Sequence, residues 1–172
     1  MARGDEEFTE FARASAAGLR HAAYLLTGDL HAAEDAVQTA LVRTYAAWRR
    51  VRRDDAFTYA RRVMVNYLID KWRRRLKEYA TDTLPELSYG DIADEVALRH
   101  WLIGALSTLT LRERAVIVMR YLFDLPEAAV ASELGITVGT VKSTSSRALA
   151  KMRVSAHGDD ADEITPVGGD RK

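Results

Sequence analysis

Two runs of this chain hold side chains suited to nucleic acid. The first is Thr140, Ser143, Thr144, Arg147 and Lys151, which share one face at helical spacing, with no carboxylate between Gly135 and Arg153. Arg and Lys reach phosphates or guanine edges, and Ser and Thr suit either phosphates or bases. The second is Lys71–Lys77, KWRRRLK, with five basic residues of seven around Trp72. Rings stack on bases while cations track a phosphate backbone, the chemistry that holds a single strand. Trp48, Tyr59 and Tyr67 add aromatics to the same block. A lone aromatic is more often core, and a basic helix end is usually only solvated. Two basic modules in one short chain are what point to nucleic acid.

Other chemistries have little to work with. The chain has no cysteine, which excludes disulfides, thiolate metal sites and cysteine catalysis. His21, His31, His100 and His157 form no ligand-spaced cluster, and His31 with Glu34 makes only half of a metal site. There is no glycine-rich phosphate loop, no GxSxG elbow and no HExxH. Asp54-Asp55 and Asp159-Asp160 fall in a helix start and a tail. The residues give no reason to expect a catalytic site, a metal or a cofactor.

The elements that must carry the first run lie in Asp124–Arg153, DLPEAAVASELGITVGTVKSTSSRALAKMR. This reads as helix, tight turn, helix. Asp124 is expected to cap the first helix, with Pro126 in its first turn. Gly135 supplies the left-handed residue that ends it. Thr137 caps the second helix, which runs to about Met152. Val130, Leu134, Ile136 and Val141 face inward, and Ala131 keeps the helices close. Val141, Ala148 and Met152 form a packing stripe. Ser145 lies within it, and its hydroxyl can bond back to the Val141 carbonyl. This is the helix-turn-helix pattern, whose second helix enters the DNA major groove.

Upstream, the period of apolar residues gives more helices. One spans residues 6–26, with Phe8, Phe11, Ala12, Ser15, Leu19, Ala22, Ala23 and Leu26 inward. Thr27-Gly28 ends it, and Asp29 can cap the next, about 30–48, whose inner side is Ala33, Ala36, Val37, Ala40, Leu41, Thr44 and Trp48. Four arginines at 49, 50, 52 and 53 then precede Asp55, the expected cap of a third helix from Ala56 to about Lys77. Its stripe is Phe57, Ala60, Met64, Tyr67 or Leu68, and Lys71 or Trp72. Helix resumes near Asp94 or Glu95, with Leu98, Trp101, Leu102, Ala105 and Leu106 inward. Thr110 to Glu113 is a capping box opening a helix through Leu122. No strand is indicated.

The expected fold is therefore all-α, with two small helical domains at 1–77 and 95–154. They are joined by an acidic flexible linker at 78–94 and followed by a disordered acidic tail at 155–172. The zero net charge hides segregation: residues 1–80 and 96–154 are each net basic by four, and every charged side chain in 81–95 is acidic. At 17 residues the linker reaches at most about 56–61 Å, on the order of 16–18 base pairs of DNA. The N-terminus, MARGDEEF, lacks an apolar h-region and no apolar run reaches membrane-spanning length, so a cytoplasmic protein without membrane insertion is expected.

The residues also match a family. The chain resembles bacterial sigma-70-type initiation factors, specifically the short two-domain extracytoplasmic-function group. TGDLHAAEDAVQTALVRTYAAW is similar to region 2.1–2.2, DAFTYARRVMVNYLIDKWRRR to regions 2.3–2.4, and LTLRERAVIVMRYLFDLPEAAVASELGITVGTVKSTSSRALAKMR to region 4. The resemblance implies a factor that directs core RNA polymerase to promoters, reads −10 and −35 elements and promotes strand opening, with an anti-sigma factor as a further partner. It implies polymerase docking through Glu34, Asp35, Gln38 and Arg43. It assigns the −10 element and the opening strand to Arg52, Arg53, Arg61, Arg62, Asn66, Lys71, Trp72, Arg73, Arg74 and Arg75. The loop at about Arg49–Asp55 would take up a flipped base. The −35 element falls to Thr140, Lys142, Ser143, Thr144, Arg147 and Lys151. No catalytic residue is implied, because the polymerase makes the phosphodiester bonds. Thr144 and Ser145 stand where the commoner pattern has arginine and leucine, and Leu149 where arginine is more frequent. The alternative is a stand-alone helix-turn-helix regulator with an N-terminal sensor or dimerisation domain, which would bind duplex DNA unaided. A nucleic-acid-processing enzyme would need a metal constellation that the sequence lacks.

Overall fold

The computed structural model describes the backbone of residues 3–79 and 95–158, and the side chains of 4–75 and 101–155. The expected linker beyond Tyr79 and the tail beyond Gly158 lie outside the described residues. Seven α-helices account for the described chain: α1 (Arg3–Thr27), α2 (Leu30–Ala47), α3 (Ala56–Tyr79), α4 (Glu95–Ser107), α5 (Leu111–Ile117), α6 (Glu127–Leu134) and α7 (Val138–Gly158). A single 3-10 turn, Arg53–Asp55, precedes α3, and a π-helical turn, Val118–Leu122, extends α5.

The breaks between helices have local causes. Gly28 takes φ 68°, a left-handed conformation that ends α1, and its N–H donates to the Tyr24 carbonyl. Asp29 then caps α2, its Oδ1 accepting from the N–H groups of His31 and Ala32 at 2.8 and 3.1 Å. The capping box at α5 is complete. Thr110 Oγ1 accepts from the Glu113 N–H at 3.3 Å, and Glu113 Oε2 accepts from the Thr110 N–H at 2.9 Å.

Three helix ends differ from expectation. Asp55 does not cap α3. It sits in the 3-10 turn, its own N–H donating to the Arg52 carbonyl at 3.0 Å. Nor does Asp124 cap α6. The π-helical turn delivers the chain with Asp124 itself left-handed, at φ 48°, and α6 starts three residues later with Pro126 at its N-cap. Arg120 holds this exit by donating to the Leu125 carbonyl. Finally, α7 runs on to Gly158, so the start of the expected tail is helical.

α1, α2 and α3 pack on one another, and α4, α5 and α6 pack around α7. Leu19, Leu26, Met64, Leu106, Leu109, Met119, Val130 and Val141 are fully buried. Burial of each such side chain contributes about 1.5–3 kcal/mol before entropy is counted. These residues belong to one continuous apolar cluster across both groups of helices, because α1 and α3 also touch α5. Thr44, on the expected inner stripe of α2, is buried with its hydroxyl donating to the Ala40 carbonyl at 2.7 Å. Trp101 is a misplacement: it is exposed, and Ile103 takes the inward position.

Candidate nucleic-acid interface

The helix-turn-helix forms as its sequence requires. Gly135 takes φ 63°, and a Cβ there would meet no atom within 4 Å, so the backbone angle rather than crowding calls for glycine. Thr137 Oγ1 accepts from the Thr140 N–H at 3.1 Å, which caps α7. Val130, Ala131, Val141, Ala148 and Met152 are buried between the helices, so the register of α7 is fixed.

That register sorts the expected −35 residues. Lys142, Ser143, Arg147 and Lys151 face solvent, and Thr140 is half-buried with its hydroxyl 2.9 Å from that of Thr137. Thr144 does not join them. It is buried, at 6% exposure, because the packing stripe of α7 is wide enough to take both 144 and 145. Ser145 is buried too, and its expected back-bond to the Val141 carbonyl gives way to a contact with the Tyr121 hydroxyl at 3.5 Å.

Two of the α7 cations are partly neutralised from neighbouring elements. Lys151 Nζ donates to both carboxylate oxygens of Glu113, at 2.8 and 3.0 Å. Lys142 lies 3.7 Å from Glu127. Burial raises the Glu113 pKa, but the Lys151 ammonium and the two Thr110 bonds outweigh it and hold the carboxyl below its ordinary value. The absence of acids within α7 therefore overstates its positive face. Arg147 keeps its charge free of any carboxylate among the described residues, with Nε donating to the Ser143 carbonyl at 3.3 Å.

The −10 residues fall into three settings. In the first, Arg53 lies 4.1 Å over the Trp48 ring and pairs with Glu7 of α1, while Arg52 is exposed, 3.9 Å from Asp55. Phe8 and Phe11 line the other sides of Trp48, whose indole Nε1 is buried without a hydrogen-bond partner among the described residues. Nearby, Tyr45 donates to Asp5 at 2.8 Å, and that bond and charge raise the phenol pKa.

The second setting runs along α3 from Arg62 to its C-terminal end. Arg62, Arg73, Arg74 and Arg75 are exposed, and Asn66, Lys71 and Trp72 are half-buried. Trp72 packs against the core, so the indole is a wall of that cluster as well as a candidate stacking surface. Lys71 lies 3.6 Å from Asp35, which joins an expected strand contact to an expected polymerase contact. Arg73 lies 3.7 Å from Asp70, and Arg74 donates to the Asp70 carbonyl at 3.3 Å.

The third setting is Arg61, which is only 4% exposed. Its Nη2 donates to Glu133 Oε1 of α6 at 2.5 Å and its Nε lies 3.4 Å from Oε2. In this arrangement Arg61 is not available to a DNA strand. The pairing was invisible in the sequence because the partner is 72 residues away.

On α2, Glu34, Asp35, Gln38 and Arg43 are all exposed. The sequence reading missed two apolar neighbours. Leu30 and Val42 are 60% and 62% exposed, and with Glu34 and Gln38 they form one stripe at four-residue spacing. Leu30 and Val42 stand as single exposed apolar residues at the two ends of this polar stripe.

Known proteins resemble this chain in sequence and in fold. The family model for sigma-70 region 2 matches residues 11–78, and that for sigma-70 region 4 matches residues 99–152. The RNA polymerase sigma-E factor of Streptomyces avermitilis is 40% identical over 94% of this chain and 92% of its own. The ECF RNA polymerase sigma factor SigL of Mycobacterium tuberculosis is 35% identical over 81% of this chain and 83% of its own. The chain belongs to the extracytoplasmic-function sigma factors. A solved Bartonella quintana sigma factor RpoE, in complex with the anti-sigma factor NepR, shares the fold of this sigma factor with a TM-score of 0.73. It is 20% identical, and the match covers 88% of this chain and 98% of that one. No helix among the described residues is long and apolar enough to cross a membrane.

Proposed function

We propose that this sigma factor brings core RNA polymerase to bipartite promoters, with α7 reading the −35 element and the outer end of α3 holding the −10 strand as it opens. The observation that carries the reading is Arg147. It stands exposed and without a carboxylate on the outer face of a correctly turned recognition helix. Arg62 and the Trp72 cluster supply the second, differently built module. The α2 stripe of Leu30, Glu34, Gln38 and Val42 is the docking face for polymerase, with Asp35 and Arg43 at its side. The chain contributes no catalytic group of its own and works in the cytoplasm. An anti-sigma factor is the further partner class that this reading brings.

The modules divide the work by chemistry. A guanidinium in a major groove reads base edges, whereas an indole among arginines holds unstacked bases and backbone. The stand-alone regulator is not favoured, since the family likeness spans both modules rather than the helix-turn-helix alone. Run-off transcription tests the proposal. Core polymerase with this chain is expected to initiate at a promoter carrying both elements and to lose initiation when either element is scrambled. Transcription that ignores both scrambles would reject it.

A further inference from the structure

The loop that joins α2 to α3 is gripped by the first turns of α1. Its own backbone hydrogen bonds are local: the Arg50 and Val51 N–H groups donate to the Ala47 carbonyl, and the Asp55 N–H to the Arg52 carbonyl. Longer-range contacts come at its two ends. On the α2 side, the Tyr45 hydroxyl donates to Asp5 at 2.8 Å, and Phe8 packs against both Tyr45 and Trp48, with ring centroids 4.8 and 5.1 Å away. On the α3 side, Arg53 Nη2 donates to Glu7 while the guanidinium lies over Trp48. Asp5, Glu7 and Phe8 all precede residue 11, where the match to sigma-70 region 2 begins.

The Trp48 N–H is buried without an acceptor among the described residues, a cost that phenylalanine at this position would avoid. Tryptophan is instead the best ring for a cation, so residue 48 is suited to seating a guanidinium. Glu7 fixes where on that ring the guanidinium rests. It takes Nη2, which leaves Nε and Nη1 as donors for a phosphate or a base edge. The neighbouring Arg52 pairs within its own turn, with Asp55 at 3.9 Å, and its side chain is 81% exposed against 50% for Arg53. Ordering Arg53 before a strand arrives removes part of the rotamer entropy that binding would otherwise cost.

We propose that Glu7 is a positioning residue for promoter recognition: by seating Arg53 on Trp48 it sets the geometry in which the Arg49–Asp55 loop meets the −10 element. The inference deepens the sigma-factor reading and rests on it, but the seating of the loop has its own readout. That readout is amide hydrogen exchange in the free, full-length chain. Glu7→Ala should speed exchange at Arg50, Val51 and Asp55 by about two- to fivefold, the range expected of an exposed ion pair. Exchange in α7 and helix content by circular dichroism should not change.

A second arm measures transcription by core polymerase carrying the full chain, in competition among single-base variants of each promoter element. Glu7→Ala should flatten the −10 preference by about two- to fivefold, with the −35 preference and the amount of chain that saturates core polymerase unaltered. Glu7→Gln keeps an acceptor at the same reach and should lie between wild type and Glu7→Ala. Trp48→Phe keeps the packing, weakens the seat and should flatten the same −10 positions. In an Arg53→Ala background, Glu7→Ala should change nothing further. Wild-type exchange in Glu7→Ala would overturn the seating. A −10 preference that survives Glu7→Ala, or an equal loss in the Arg53→Ala background, would overturn the positioning role. Faster exchange in a chain whose wild-type form initiates without regard to either element would instead overturn the sigma-factor reading, and the promoter role of Glu7 with it, while the seating of the loop stands.

Discussion

Lys151 separates what a basic helix face does for DNA from what it does for the fold. Its ammonium donates to both oxygens of Glu113, and the same carboxylate closes the capping box on Thr110. A hydrogen bond to a charged group is worth about 1.5–3 kcal/mol when shielded. Lys151 is about half exposed, so solvent screening brings the expected loss in Lys151→Ala down to about 1 kcal/mol. For a chain of this size that lowers the melting temperature by about 2–4 °C. Glu113→Gln should cost somewhat more, since it also weakens the cap, and the double variant should fall short of the sum because the two share one interaction. Thermal unfolding by circular dichroism gives the stability. The salt dependence of promoter-duplex binding by the polymerase-bound protein gives the DNA role. Lys151→Ala should melt earlier with an almost unchanged salt slope. An unchanged melting temperature with a slope reduced by about one would show that Lys151 is a phosphate contact and that its bond to Glu113 is incidental.

Arg147→Ala, by contrast, should cost about 1–3 kcal/mol of promoter affinity and relax selectivity at one −35 base pair, as read by competition among single-base variants. Leu30→Ala combined with Val42→Ala should weaken capture of core polymerase in a pull-down titration while leaving helix content intact. Asn66→Ala, and neutralisation of Arg73 to Arg75, should reduce permanganate reactivity of thymines near the start site far more than they reduce duplex binding. Acid should loosen the contact between α5 and α7. The Glu113 pKa is depressed on folding, so its stabilisation is complete above the ordinary value of 4.5 and fades as pH falls through the lower folded value. Glu113→Gln should therefore flatten the stability-versus-pH curve in that acidic window.

Much of the helical framework was legible because its causes are local. Asp29, Thr110 and Thr137 cap the helices they precede, and Gly28 and Gly135 take the left-handed angles that end α1 and α6. The inner faces of α1 and α2 followed from period alone. What escaped depends on neighbours. Thr144 lies at helical spacing both from Arg147 and from Val141, so its sequence position fits either face, and packing put it inside. Asp124 failed as a cap because the π-helical turn before it shifts the register by one residue, which nothing in the composition marks. Arg61 looked like part of a basic face because Glu133 is remote in sequence. Lys151 looked free because Glu113 lies on another helix. The electrostatics of the candidate interface are thus less positive than a count along α7 or α3 implies, and Arg62, Arg74, Arg75 and Arg147 are the arginines of it that keep no carboxylate partner among the described residues.

The central claim is that two dissimilar modules act on DNA together, through polymerase. The most direct measurement is equilibrium binding of a bipartite promoter duplex to the chain alone and to the chain with core polymerase, at one fixed salt concentration. The free protein should bind weakly and without regard to sequence, and specific binding should appear with core polymerase and fall when either element is scrambled. Tight, specific binding by the isolated chain, unchanged on adding core polymerase, would contradict it.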